Sequence, residues 1–126
     1  MIRLDTDDVL SLHKKMCKAT EGISGIRDIG TLESAIFHAY ASFEGKDLYP
    51  TIEEKVARQT YGIIRSHPFI DGNKRIGIFV MLVLLELNNI KLKFTQSELV
   101  KLGISVAEGN AKPHYIEKWI IRHKEK

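Results

Sequence analysis

The sequence predicts an all-α fold of about six helices around one central buried helix. Three observations carry this. Apolar residues recur at three- and four-residue spacing along most of the chain, which is helical periodicity. Two Thr-x-x-Glu capping boxes, Thr51/Glu54 and Thr95/Glu98, mark helix starts. Strand-like alternation is confined to residues 90–94, too short a stretch to build a sheet alone.

Taken in order, Thr6 is expected to cap a first helix with Val9, Leu10, His13, Met16 and Cys17 on one face. Gly22, Gly25 and Gly30 break residues 21–30 into a loop. Gly30 or Thr31 then opens a second helix, with Leu32, Ala35, Ile36 and Ala39 inward. Residues 43–50, with Gly45 and Pro50, read as a connector. The Thr51 box starts a third helix through Val56, Ala57, Tyr61 and Ile64. Pro68 disfavours helix at His67, so that helix ends there. Asn73 is the expected N-cap of a fourth helix over 74–87, apolar on nearly every side and therefore the expected centre. The Thr95 box opens a fifth helix ending near Gly109. Pro113 suits the first turn of a sixth, with Tyr115, Ile116, Trp119 and Ile120 inside.

At 126 residues the chain reads as one domain spanning 1–126, long enough to bury about two-thirds of its unfolded surface. Cys17 has no partner for an internal disulfide, which fits a reducing, cytoplasmic setting. Residues 1–5 lack the apolar stretch of a secretion signal. The longest apolar run, residues 76–85, is half the roughly 20 residues of a bilayer span, so no membrane association is expected. Nineteen basic against 16 acidic residues give a net charge of +3, mild and mixed. Direct nucleic-acid binding is therefore not expected, and the basic residues at 122–126 read as a solvated helix end.

The chemistry is concentrated in His67-Pro68-Phe69-Ile70-Asp71-Gly72-Asn73-Lys74-Arg75, placed directly before the apolar run. The first amides of a helix have no partner within it, and with the helix dipole they favour a phosphate. Gly72 lets a ligand approach the backbone. Arg75 can offer a phosphate two parallel donors, and Lys74 adds a point charge. Asp71 is a hard oxygen ligand of the type that phosphate-bound magnesium takes. The imidazole of His67 can accept a proton from an attacking hydroxyl near neutral pH. Each residue alone has an ordinary structural explanation; their conjunction is what points to a site.

These nine residues resemble the signature of the Fic/Doc family: His-Pro-Phe, any residue, Asp or Glu, Gly-Asn, Gly or Lys, then Arg. Gly25-Ile26-Arg27-Asp28, Leu32-Glu33-Ser34-Ala35, Leu12-His13 and Tyr49-Pro50-Thr51 are similar to its death-on-curing (Doc) branch. The resemblance implies that His67 is the general base. Asp71 takes the nucleotide-bound magnesium, Gly72 and Asn73 form the anion hole, Arg75 grips a phosphate, and Phe69 anchors the loop beside Pro68. It also implies ATP and magnesium, a protein substrate and a cognate antitoxin.

AMP-transferring relatives carry Gly before the Arg and a second Arg three residues later, where this chain has Lys74 and Ile78. Both departures resemble Doc, a kinase that phosphorylates elongation factor Tu. The expectation is thus a toxin transferring a phosphoryl group to a protein hydroxyl. AMP transfer on the same fold is the first alternative, and a non-enzymatic, basic, nucleic-acid-binding regulator is the second. Self-inhibited relatives carry a helix motif to which residues 105–109 come closest, one residue short, so inhibition by a separate antitoxin is expected. Residues 43–49 read either as a plain connector or as the flap on which the family's targets add a strand. His13, His38, His114 and His123 are expected in structural or surface roles, Cys17 in the core, and Arg65 either at the substrate or in solvent. Zinc-ligand spacing and a GxxxxGK[ST] loop are both missing from the sequence.

Overall fold

The computed structural model describes residues 1–125. Its order is α1 (Thr6–Thr20), α2 (Ile29–Ala39), β1 (Ser42–Phe43), β2 (Lys46–Asp47), α3 (Ile52–Ser66), α4 (Asn73–Leu87), α5 (Gln96–Ala107) and α6 (Pro113–Arg122). The class is all-α, with six helices among the described residues and one two-stranded hairpin. None of these helices is long and apolar enough to cross a membrane.

Three helix starts differ from expectation. Asp5, not Thr6, caps α1, in a reciprocal box where Asp5 accepts from the Asp8 amide and Asp8 accepts from the Asp5 amide. Asp28, rather than Gly30 or Thr31, caps α2 by accepting from the Thr31 amide at 3.2 Å. The hydrogen bonds from Thr31 hold the Asp28 carboxyl below its ordinary range. Gly72, in the left-handed conformation (φ 76°), precedes α4, and Asn73 is already helical. The Thr95/Glu98 box forms in full. At Thr51 only half of the box forms: the Glu54 amide donates to Oγ1, while the Glu54 carboxylate accepts from the Thr51 hydroxyl instead of its amide.

The centre is shared by α3 and α4. Helix α3 packs against α2, α4, α5 and α6, so one helix serves as the common wall. Its buried face carries Val56, Ala57, Ile63 and Ile64, and α4 meets it with Ile76, Val80, Met81 and Leu84. Burying each large side chain contributes about 1.5–3 kcal/mol. Gly77 lets the two axes approach: a Cβ there would lie 2.4 Å from Ile64 Cγ1. Helix α4 is less enclosed than its composition suggests, because Phe79 and Leu87 remain exposed. Tyr115 is also exposed (48 %), contrary to its expected place inside α6.

The connector at 43–50 contains the hairpin, registered Ser42–Asp47 and Phe43–Lys46. Glu44 and Gly45 both have positive φ, the two-residue turn that suits strand twist. Lys55, itself buried on α3, ties the hairpin down through Asp47 (3.0 Å) and the Tyr49 carbonyl. Residues 90–94 pair with the C-terminal tail: Leu92 bridges Lys124, and the Lys93 amide donates to the His123 carbonyl at 2.7 Å. The tail is thus held in place, with Lys124 also paired to Glu53 at 3.2 Å. Lys126, which falls in the basic stretch expected to be solvated, lies outside the described residues.

Candidate functional site

The loop between α3 and α4 carries the nine-residue segment. Helix α3 ends at His67, whose backbone is left-handed (φ 53°, ψ 58°). That conformation costs a non-glycine residue about 1–2 kcal/mol, and such strain concentrates at functional sites. Pro68 follows and has no amide to close the usual C-terminal cap. Arg27 supplies donors instead: Nε donates to the His67 carbonyl at 2.7 Å and Nη2 to the Ser66 carbonyl at 2.9 Å. Its positive charge also suits the negative end of the helix.

The loop is held from three sides. Residues 25–28 lie antiparallel to it. The Arg27 and Asp28 amides donate to the Pro68 carbonyl, Ile26 bridges Phe69, and the Ile70 amide donates to the Gly25 carbonyl. From α1, His13 stacks on Phe69 with ring centroids 3.8 Å apart, and its Nε2 donates to the Asp71 carbonyl at 2.8 Å. His13 and Phe69 are each 2 % exposed. From within, Asn73 Oδ1 accepts from the Phe69 amide (2.9 Å) and its Nδ2 donates to the Phe69 carbonyl (3.0 Å). The Asn73 side chain is therefore a staple across the loop and not an N-cap.

Asp71 also contributes to loop shape. Its Oδ1 accepts from the Gly72 amide at 2.9 Å and its Oδ2 from the Ile23 amide at 3.2 Å. Each oxygen keeps a further lone pair. Gly72 needs both its freedoms, since its φ is positive and a Cβ would meet Met16 Cε at 2.8 Å. The amides of Asn73, Lys74 and Arg75 have no hydrogen-bond partner among the described residues. Free amides at the positive end of a helix favour an anion, so the start of α4 is a candidate anion-binding turn.

A cleft of about 310 Å³ brings the segment's polar residues together. His67, Asp71, Gly72, Asn73, Lys74 and Arg75 all line it, closed by Ile64, Ile70 and Ala107. His67, Lys74 and Arg75 are exposed, so they are available to a ligand. The Lys74 stem runs along α5, where a Cβ on Gly103 would come within 3.2 Å of it. Ile78 is buried and lines an adjoining apolar groove of about 360 Å³ that shares Lys74 and Arg75 with the cleft. A larger hollow of about 780 Å³ lies elsewhere, beside residues 3–8 and α2; Asp5, Asp8 and Glu33 line it, which disfavours an anion there.

The donor set would suit a magnesium ion carried on phosphates. Among the described residues no three His, Cys, Asp or Glu side chains cluster to hold a metal by themselves. One carboxylate beside an anion-binding turn matches an ion that keeps several waters and arrives on phosphates.

His13 has the structural role expected of it, but sequence reasoning assigned neither His13 nor Arg27 to the support of the loop. Arg27 and His13 act on the loop from 40 and 58 positions away, separations that no local pattern encodes. Arg65 takes the second of its expected places: it is exposed and does not line the cleft, while its Nη1 donates to the Ala107 carbonyl at 2.7 Å and so ties α3 to the end of α5. Of the other histidines, His123 stacks on Trp119 and bonds Glu98 at 2.7 Å, far from the cleft.

A helical fold that presents this loop at the start of a buried helix defines a class, and the chain belongs to the Fic/DOC family, whose model matches residues 3–85. Within that family it is similar to the protein named Toxin Doc of Mycolicibacterium smegmatis (strain ATCC 700084 / mc(2)155), 33 % identical over 89 residues. The match takes in 71 % of this chain and 66 % of that relative, just under two-thirds of its length.

Proposed function

We propose that this chain is the toxin of a toxin–antitoxin pair and transfers a phosphoryl group from ATP to a protein hydroxyl. The observation that carries this reading is the cleft itself, lined by His67, Arg75 and a helix start whose three amides have no partner among the described residues. In the proposed step, His67 takes the proton of the target hydroxyl as its oxygen bonds the γ-phosphorus. The bond from that phosphorus to the bridging oxygen breaks, and ADP leaves. The Asn73, Lys74 and Arg75 amides and the Arg75 guanidinium receive the phosphate charge, and Asp71 would hold the magnesium ion. That ion neutralises charge on the phosphates when bound. The chain contributes positioning and electrostatics, with no covalent intermediate.

Phosphoryl transfer is favoured over AMP transfer by positions 74 and 78. Lys74 adds bulk and charge at the helix mouth, and the buried Ile78 leaves no second guanidinium at that turn. The similarity to a protein named Toxin Doc supports the toxin assignment and a cognate antitoxin as partner. Elongation factor Tu is the proposed substrate, which places the activity in the cytoplasm. The hairpin supports strand addition by the target, since Phe43 is 68 % exposed beside its free edge.

Expression in a bacterial host tests the assignment. The wild-type chain is expected to arrest growth. His67→Ala, at equal expression and with an unchanged melting temperature, is expected to be harmless, since a positioned base contributes about 100- to 10,000-fold. Equal toxicity of the variant would overturn the assignment of the base.

A further inference from the structure

We infer that Arg27 is a positioning residue for His67, holding the backbone that aims the imidazole into the cleft. This rests on the reading of His67 as the base. The imidazole has no hydrogen-bond partner among the described residues. Catalytic imidazoles are commonly oriented by a third group bonded to the ring. Here the direction of the ring is left to the backbone, and that backbone is in a left-handed conformation before a proline. The two carbonyls that define the turn, those of Ser66 and His67, both accept from the Arg27 guanidinium.

Arg27 is itself fixed at its main chain. Its amide and that of Asp28 donate to the Pro68 carbonyl at 2.8 and 3.0 Å, and Asp28 caps α2. The guanidinium therefore reaches from one anchored segment to the end of α3, and its two donors in fixed relation match two neighbouring carbonyls. A lysine could satisfy only part of this arrangement. Arg27 is exposed, so removal of its side chain opens no core cavity. Loss of the contact frees the orientation of His67 while leaving the anion-binding turn intact, because Arg27 does not line the cleft.

The test compares wild type, Arg27→Ala and Arg27→Lys by transfer from labelled ATP, by calorimetric binding of ATP with magnesium, and by NMR of labelled histidine, with the His67 ring signal assigned from His67→Ala. For Arg27→Ala, kcat is expected to fall about 100-fold while KM for ATP and the calorimetric Kd change less than about 3-fold. The His67 signal is expected to shift or broaden. Arg27→Lys should fall in between, and it decides the matter if Arg27→Ala does not fold. An unchanged kcat, or a His67 signal identical to wild type, would overturn the inference. If the wild type transfers nothing, the proposed reaction fails independently, and the His67 signal alone decides whether Arg27 holds it.

Discussion

Replacing Asn73 by alanine separates a residue that holds the loop from one that touches a ligand. The side chain makes two hydrogen bonds to Phe69, one to its amide at 2.9 Å and one to its carbonyl at 3.0 Å. Each nets roughly 0.5–1.5 kcal/mol, so the pair stabilises the closed loop by about 1–3 kcal/mol. At 1.4 kcal/mol per factor of ten, Asn73→Ala makes loop opening about 5- to 150-fold more frequent. Native-state hydrogen exchange reads this directly, because Asn73 Oδ1 is the partner of the Phe69 amide. Exchange at Phe69 should accelerate by that factor, well beyond any change at Ile63 in the middle of α3. Asn73→Asp keeps the acceptor but turns an anionic oxygen toward the Phe69 carbonyl, so it should rescue little. If Phe69 exchanges no faster relative to Ile63 than in the wild type, the staple does not hold the loop.

Three further outcomes follow from other contacts. In Gly77→Ala the new Cβ would lie 2.4 Å from Ile64 Cγ1, so overpacking of about 1–3 kcal/mol opposes a helix-propensity gain of about 1 kcal/mol. The urea midpoint should fall, and adding Ile64→Ala should cost less than the sum of the two single changes; a higher midpoint for Gly77→Ala would refute the close packing of α3 on α4. His13→Phe preserves a ring against Phe69 but leaves the Asp71 carbonyl unpaired, which costs about 1–3 kcal/mol; calorimetric affinity for ATP with magnesium should drop, and an unchanged affinity would remove His13 from the support of the site. The bond from His123, aided by the Thr95 amide, lowers the Glu98 carboxyl from 4.5 to about 2. A depressed carboxylate stabilises the fold in full above its unfolded value, and that contribution is lost as pH falls through the folded one. Melting temperature should therefore decline between those two pH values, with a shallower decline in Glu98→Gln; identical slopes would show that the pair does not form.

The features legible in the sequence are those set by neighbouring residues. The Thr95 box, Pro113 in a first turn and the stop at Pro68 each depend on a few adjacent positions, and all three stand where expected. Helix starts were harder wherever two capping residues compete. Asp5 precedes Thr6, and Asp28 precedes Thr31; which one caps depends on where the chain enters the helix, and packing decides that. Asn73 shows the same ambiguity with a functional consequence. A good capping residue beside a glycine suggested an N-cap, but the glycine takes the left-handed turn and frees the amide to reach back to Phe69. The segment of candidate site residues was readable because it is contiguous. Its supports on α1 and at 25–28 were not, because they come together only in three dimensions.

The most direct measurement is transfer of label to elongation factor Tu from ATP carrying it on either the α- or the γ-phosphate, with magnesium present and His67→Ala as control. Label arriving from the γ-position only, and lost in His67→Ala, is the expected result. Label arriving from the α-position would contradict phosphoryl transfer and establish AMP transfer despite Lys74 and Ile78. Label that persists in His67→Ala would contradict the assignment of the base.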